Sequence, residues 1–274
     1  MRKKGECLPL STCTEEGFAV DDPKAVWETL NRFYPMNHRN TYLPLTLVVL
    51  IACGAAQANA SLEVAEVEDE GQASWKITTP TATYYYHQEG AGFSSIVDNH
   101  GNDWIDYHPW GASEGLHRGI PNMVFGSGGY FFHPGHSGDK GSTSTLEKTE
   151  SSVVITSVSV NQAWKVVWEI VETHATLTVE KADGAYWFLY EGTPGGGYDV
   201  ELDWYLLPDG TRKRVDQDTV GDLPGKEWIV FGEEGLETVF FVAHHEDDDI
   251  SDTYLHWGNM TVFGFGRGGR EDYT

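Results

Sequence analysis

The fold class is decided by residues 164–181, which read WKVVWEIVETHATLTVEK. In the first half, apolar side chains occupy every second position, at Trp164, Val166, Trp168 and Ile170. Successive side chains of a β-strand point to opposite faces, so these four share one face. The second half repeats the alternation at Ala175, Leu177 and Val179. The stretch therefore predicts two strands, each with one buried face.

Similar runs recur from residue 75 onward, and almost none has the spacing of an amphipathic helix. They predict further strands at residues 75–79, 81–87, 93–98, 152–160, 187–191, 200–207, 227–231, 237–244 and 260–265. Turn signals rich in Gly, Asn and Asp stand at residues 99–102, 182–184 and 208–210. The count and spacing predict an all-β fold, a large antiparallel β-sandwich. Residues 107–145 interrupt the pattern, and their aromatic content favours an ordered loop over the mouth of the sandwich.

Residues 36–60 have the pattern of an export signal. Arg39 supplies a positive charge, residues 43–52 form an apolar run, and residues 58–60 read Ala-Asn-Ala, a small-x-small cleavage site. The apolar run is shorter than the roughly 20 residues of a membrane-spanning helix. The four residues ending at Cys53 also resemble a lipobox, so lipid anchoring and cleavage after residue 60 remain alternatives. We expect an exported protein, periplasmic, extracellular or anchored by lipid, with no other membrane insertion.

The domain boundaries follow from this signal. Residues 1–35 precede a second methionine and are interpreted as translated upstream sequence, while residues 61–274 form a single domain. Its last predicted strand lies close to the C-terminus, so both a final strand and a truncated reading frame remain open. All three cysteines precede residue 61, so the domain depends on its core rather than on disulfides.

The charge of the chain restricts its partners. The formal net charge is −24, and residues 61–274 carry 12 basic against 36 acidic groups. Such a surface excludes nucleic acid and anionic membrane as partners. It also disfavours an anionic polymer unless a local positive pocket forms.

The first candidate site combines His117, Arg118 and Asn122 around a proline turn. Arg118 and Asn122 can neutralise the carboxylate of a uronate while His117 moves a proton, which is what β-elimination requires. The alternative is that Arg118 holds a loop by pairing with Glu114 or Asp106. Tyr130 and His133 are further candidates for the catalytic base and acid.

Other histidines raise the question of a metal. His133 and His136 flank a Pro-Gly turn, and His244 ends a predicted strand before the acidic residues 246–249. These histidines and carboxylates do not require a cofactor, but they could bind Ca²⁺ or Zn²⁺. Structural histidines and an acidic surface loop are the alternatives. A metal-dependent glycan hydrolase using His133, His136 and His244 is accordingly one possible function.

Polar and aromatic groups elsewhere suit a sugar ligand. Glu191 stands before a Gly-rich turn and can serve as acid, base or acceptor of a sugar hydroxyl. Trp104 and Trp110 can stack on sugar rings, although most buried aromatics belong to a core. His136, His174 and His244 are also assigned to substrate binding, with the solvated face of an ordinary sheet as the alternative for His174.

Residues 92–98, GFSSIVD, lead through a hairpin into residues 103–105, DWI. This order resembles the opening of galactose-mutarotase-like β-sandwich domains, which occur in sugar epimerases, glycoside hydrolases and several polysaccharide lyases. The resemblance implies the fold and a carbohydrate ligand, and it places His117, Arg118, His133 and His174 on the concave sheet. We expect a polysaccharide lyase that cleaves a uronate-containing glycan. A non-catalytic carbohydrate-binding or cell-surface module is the alternative.

Overall fold

The computed structural model describes residues 45–52, 62–107, 118–125, 142–245 and 247–267, with only the backbone described at 45–52, 124, 125 and 267. This part of the chain forms two nine-stranded sheets, whose strands are numbered in chain order. Sheet I runs in the order β13 (Arg212–Arg214), β12 (Asp203–Leu206), β15 (Trp228–Glu233), β16 (Thr238–His244), β1 (Leu45–Ala52), β10 (Ala175–Ala182), β9 (Trp164–Val171), β8 (Ser152–Ser159) and β7 (Ser142–Lys148). Sheet II runs in the order β14 (Thr219–Gly221), β17 (Asp252–Trp257), β18 (Met260–Arg267), β11 (Tyr186–Gly192), β6 (Gly119–Phe125), β5 (Gly92–Asp98), β4 (Ala82–His87), β3 (Gln72–Thr78) and β2 (Glu63–Asp69).

The core lies between the sheets, where aromatic rings meet across the gap. Phe93 of β5 contacts Trp168 of β9 edge to face, with 4.7 Å between ring centroids. Tyr205 of β12 and Tyr254 of β17 are 4.0 Å apart. Ring contacts of this kind contribute about 0.5–1.5 kcal/mol beyond the burial of their area.

The alternation predicted for residues 164–181 is confirmed. Its apolar residues Trp164, Val166, Trp168, Ile170, Ala175, Leu177 and Val179 are all buried in the core. Strands β9 and β10 pair antiparallel, with Leu177 opposite Trp168. The predicted all-β antiparallel sandwich is likewise confirmed.

The predicted hairpin after β5 is confirmed, and Asp98 organises it. Asp98 Oδ1 accepts hydrogen bonds from the backbone N–H groups of His100 at 2.8 Å and Asn102 at 3.0 Å. Its Oδ2 accepts from the indole N–H of Trp104 at 3.2 Å. Burial alone would raise the pKa of Asp98, but these hydrogen bonds outweigh burial and lower it.

The prediction of one continuous loop over residues 107–145 is wrong, because the segment contains a central strand and the start of another. Strand β6 lies between β5 and β11 in sheet II, and β7 begins at Ser142. The sequence of β6 includes Gly119, Pro121 and Asn122, residues with low strand propensity. Pairing with β11 on one side and β5 on the other supplies what local propensity lacks.

The apolar run of the predicted export signal forms strand β1, in the middle of sheet I. Seven residue pairs join β1 to β16, and four join it to β10. No helix in the described ranges is long and apolar enough to span a membrane. Export stays a prediction, and cleavage after Ala60 would remove β1 from the sheet.

We therefore predict that a chain starting at Ser61 is much less stable than one starting at Met36. Without β1, the seven residue pairs to β16 and the four to β10 are lost, and any backbone group that water does not reach stays unpaired. Each such group costs about 1–3 kcal/mol, against a typical total stability of about 5–15 kcal/mol. Urea unfolding of both chains measures the difference, and equal midpoints would show that β1 is dispensable and favour its role as a cleaved signal.

Candidate functional site

A buried amide–carboxylate pair lies on adjacent strands of sheet II. Asn122 of β6 donates from Nδ2 to Oε2 of Glu191 of β11 at 3.0 Å. The two residues are 8% and 6% exposed. Their chain neighbours Met123 and Tyr190 lie in the core, so the pair belongs to the outer face of the sheet. The structure thus joins two candidates that come from separate motifs in the sequence.

A bulge in the ladder between β6 and β11 sets the position of this pair. Gly119 is opposite Glu191 and Asn122 is opposite Leu189, so β6 has one residue more than β11 over this interval. Pro121 lies inside the bulge, where a residue without an N–H group is tolerated. Bulges re-aim neighbouring side chains and are common beside functional sites.

Trp187 lies on the same strand and face as Glu191 and is half-buried. Glycine at position 264 of β18 makes room for the side chains on this face. A Cβ at Gly264 would lie 2.2 Å from Leu189 Cδ2 and 3.1 Å from Trp187 Cε3. The indole is therefore held close to the backbone of the sheet.

A second tryptophan lies on this face at Trp257, near the end of β17. Val262 of β18 is opposite Glu191 on one side and Leu255 on the other. Trp257, two residues after Leu255, shares its face and is 46% exposed. The outer face of sheet II thus presents an amide, a carboxylate and two indoles.

Arg118 precedes β6 but does not join the Asn122–Glu191 pair. Its Nη1 lies 2.6 Å from both Oδ2 and the backbone carbonyl oxygen of Asp106, and its Nη2 donates to the carbonyl of Asn259 at 3.1 Å. The side chain of Arg118 is only 5% exposed. Arg118 is thus paired with Asp106, which is the alternative to substrate binding for this residue.

Titratable groups with shifted pKa values surround Tyr190 in the interior. Burial raises the pKa of Tyr190 well above its usual value, and the charges of Asp103 and Asp203 add to this effect. Burial also raises the pKa of Asp103, against the hydrogen bonds that it accepts. Burial, with the charges of Glu233 and Asp199, raises the pKa of Asp203 to about 7, although a hydrogen bond from the Asp199 N–H opposes it.

The remaining described candidates lie apart from this pair. Trp104 is fully buried and stacks on Phe240 at 6.0 Å between centroids, so it is a core residue and not a surface for sugars. His174 lies between β9 and β10 of sheet I, where burial lowers its pKa, and its placement on the concave sheet stays a prediction. His244 ends β16, and its Nδ1 is 2.9 Å from Glu227 Oε2. His117, Tyr130, His133, Trp110 and His136 lie outside the described residues.

Comparison with known proteins shows the fold. No protein-family model matches the chain, and a search of curated proteins found no match. Among solved structures, HI1317 aligns over 83% of this chain and 96% of its own, with a TM-score of 0.53 and 11% sequence identity. A proposed mutarotase, YeaD from Salmonella typhimurium, aligns over 80% of this chain and 97% of its own at 9% identity, with a TM-score of 0.38 that is too low to support an inference. The architecture shared with HI1317 is a large antiparallel β-sandwich.

Replacing Arg118 by Ala should lower stability. The change removes the ion pair with Asp106 and the hydrogen bonds to two backbone carbonyls from a buried site, which we expect to cost about 2–4 kcal/mol. Arg214 is the matched control, since its pair with Glu201 is exposed and Arg214→Ala should cost much less stability than Arg118→Ala. Urea unfolding measures both. Unchanged stability in Arg118→Ala would return Arg118 to the catalytic role expected from sequence.

Asp203 should make stability depend on pH. Because folding raises its pKa, the protonated form is favoured in the folded state, and stability falls as pH rises from about 4 to 7. The loss is up to about 4 kcal/mol. Asp203→Asn cannot ionise, so its stability should exceed that of the native chain at pH 8 and match it at pH 4. Unfolding curves across this range test the difference, with the exposed Asp183→Asn as a control that keeps the native profile.

Proposed function

We propose that this chain is a carbohydrate-active enzyme in which Glu191 transfers a proton to or from a sugar bound on the outer face of sheet II. The observation that carries the proposal is the buried hydrogen bond of 3.0 Å between Asn122 Nδ2 and Glu191 Oε2. A carboxylate held by an amide is oriented for general acid–base catalysis. The fold adds support by analogy, since galactose-mutarotase-like domains occur in several classes of sugar enzyme.

Two indoles on the same face of sheet II as the pair suit sugar rings. Trp187 and Trp257 offer apolar faces on which a pyranose can stack, and such faces with a few polar groups are typical of ligand sites. Asn122 Oδ1 is buried and has no hydrogen-bond partner among the described residues, and a sugar hydroxyl can supply the missing donor. The carboxylate of Glu191 and the net charge of −24 on the chain favour a neutral sugar at this position.

A polysaccharide lyase acting on a uronate is the more specific form of the proposal. It requires a cation at the substrate carboxylate, and the guanidinium of Arg118 is already bound by Asp106. That ion pair would have to open, or Asn122 would have to bind the carboxylate alone. The base would come from Glu191 or from His117, Tyr130 or His133. β-elimination is therefore the reaction with the most demanding requirements.

The exposed indole of Trp257 favours a second candidate, a non-catalytic carbohydrate-binding module. Such a module needs aromatic faces but no proton transfer. A glycan hydrolase with a metal bound by His133, His136 and His244 would require two residues outside the described ranges, and no described contact supports it.

Replacing Glu191 by Gln should lower kcat on the responsive glycan by about 10²–10⁴-fold, because the amide cannot exchange the proton. The assay follows unsaturated uronate absorbance and new reducing ends on a panel of neutral and acidic polysaccharides. Glu169→Gln, on the exposed face of β9, is the matched control and should keep full activity. Circular dichroism establishes that both variants fold.

The two readouts separate the candidates. Reducing ends together with absorbance on an acidic polymer identify a lyase, and reducing ends alone identify a hydrolase. Binding without product, unaffected by Glu191→Gln and lost in Trp257→Ala, identifies a binding module. Full activity of Glu191→Gln would refute the assignment of Glu191.

A further inference from the structure

A second group of polar side chains lies where the C-terminal strands of the two sheets meet. Glu227 precedes β15 and His244 ends β16, both in sheet I. Asp252 begins β17 and Asp222 follows β14, both in sheet II. Asp248 lies on the connection between β16 and β17. These five residues, which we call the inter-sheet cluster, are distinct from the Asn122–Glu191 pair.

The cluster has the composition and spacing of a metal site. Ligand atoms of Glu227, His244 and Asp248 all lie within 4.8 Å of one another. Asp222, Glu227 and Asp252 form a second such group, which shares Glu227 with the first. One imidazole and several carboxylates within this distance are donors that divalent cations bind.

Glu227 and His244 are held in place before any ion binds. The side chains of Glu227 and His244 are 0% and 2% exposed. The backbone N–H of His244 donates to the carbonyl of Glu227 at 2.9 Å, and Glu227 Oε1 accepts from the N–H of Asp248 at 3.0 Å. The positions of these donor atoms therefore depend on backbone contacts as well as on rotamers.

Charge at this position favours a cation. Glu227 and Asp252 are each 1% exposed, and Asp222 and Asp248 carry carboxylates beside them. Carboxylates that are taken out of water need a compensating positive charge or several hydrogen bonds. A divalent cation bound here would offset two of these negative charges at once.

We propose that Glu227, His244 and Asp248 bind one divalent cation of the zinc class, which ties sheet I to the connection that leads into sheet II. The imidazole nitrogen favours Zn²⁺ over Ca²⁺, since Ca²⁺ prefers a shell of oxygen atoms. His244 Nδ1 and Glu227 Oε2 form a hydrogen bond of 2.9 Å, and zinc binding would displace its proton and move the two atoms to about 3.3 Å, the separation of neighbouring ligands of tetrahedral zinc. Asp222 and Asp252 lie outside this ligand set and add negative potential. The ion has a structural role and takes no part in the sugar chemistry.

Zinc titration of the purified full chain, stripped of metal with a chelator, tests the proposal. We expect one equivalent of Zn²⁺ to bind and to raise Tm, while Ca²⁺ at the same concentration does not. Glu227→Gln and His244→Gln should each weaken Zn²⁺ binding at least 100-fold. Glu227 and His244 are buried, so replacing them can also disturb folding. Asp248 has a half-buried side chain, and Asp248→Asn should fold normally. Its affinity for Zn²⁺ should fall at least tenfold.

The exposed pair of Asp218 and His256 provides the matched control. Its imidazole and carboxylate are 2.8 Å apart, as in the cluster, but its residues are 45% and 47% exposed. Asp218→Asn should leave Zn²⁺ affinity unchanged. The proposal is overturned if no zinc binds, or if Asp248→Asn and His244→Gln bind zinc as the native chain does. It is also overturned if Ca²⁺ alone binds, because the cluster would then hold an oxygen-ligated ion. Loss of sugar activity in Glu191→Gln is independent of all these results.

Discussion

The packing of Tyr190 between the sheets is the constraint on which the candidate site depends. Its ring lies 4.7 Å from Phe240 and 5.0 Å from Phe231 of sheet I, and its hydroxyl donates to the carbonyl of Trp104 at 2.6 Å. Position 192 must be glycine here, because a Cβ would lie 2.3 Å from that carbonyl oxygen. With Tyr190 fixed inward, the period of a strand directs Glu191 outward.

The buried charges divide between two places in the sandwich. Around Tyr190, Arg118 is neutralised by Asp106, and burial raises the pKa of Asp203 to about 7. In the inter-sheet cluster, ligand atoms of Glu227, His244 and Asp248 lie within 4.8 Å of one another. Arg118 and Asp106 form an internally compensated ion pair, whereas for the inter-sheet cluster we propose a bound cation. For this reason we assign a bound cation to the inter-sheet cluster, and no ligand to the Arg118–Asp106 pair.

Much of the fold was predictable from sequence, since β9, β10 and the hairpin after β5 carry strong local patterns. Strand β6 was not, because Gly119 and Pro121 weaken its propensity and only its neighbours stabilise it. Strand β1 was assigned to an export signal, since a short apolar run fits both a signal and a central strand. Of the site, Asn122 and Glu191 were each recognised, but nothing in their separation of 69 positions indicated that they touch.

The sequence by itself determined the all-β class, the acidic surface and the faces of the longest strands, because these follow from composition and from a period of two. Only the tertiary structure decided which polar residues share a site. It moved Trp104 into the core, paired Arg118 with Asp106, and brought Glu227, His244 and Asp248 together from separate strands and a connection. Contacts of this kind depend on strand order, ladder register and one bulge, and each of these is set by pairing between segments far apart in the chain.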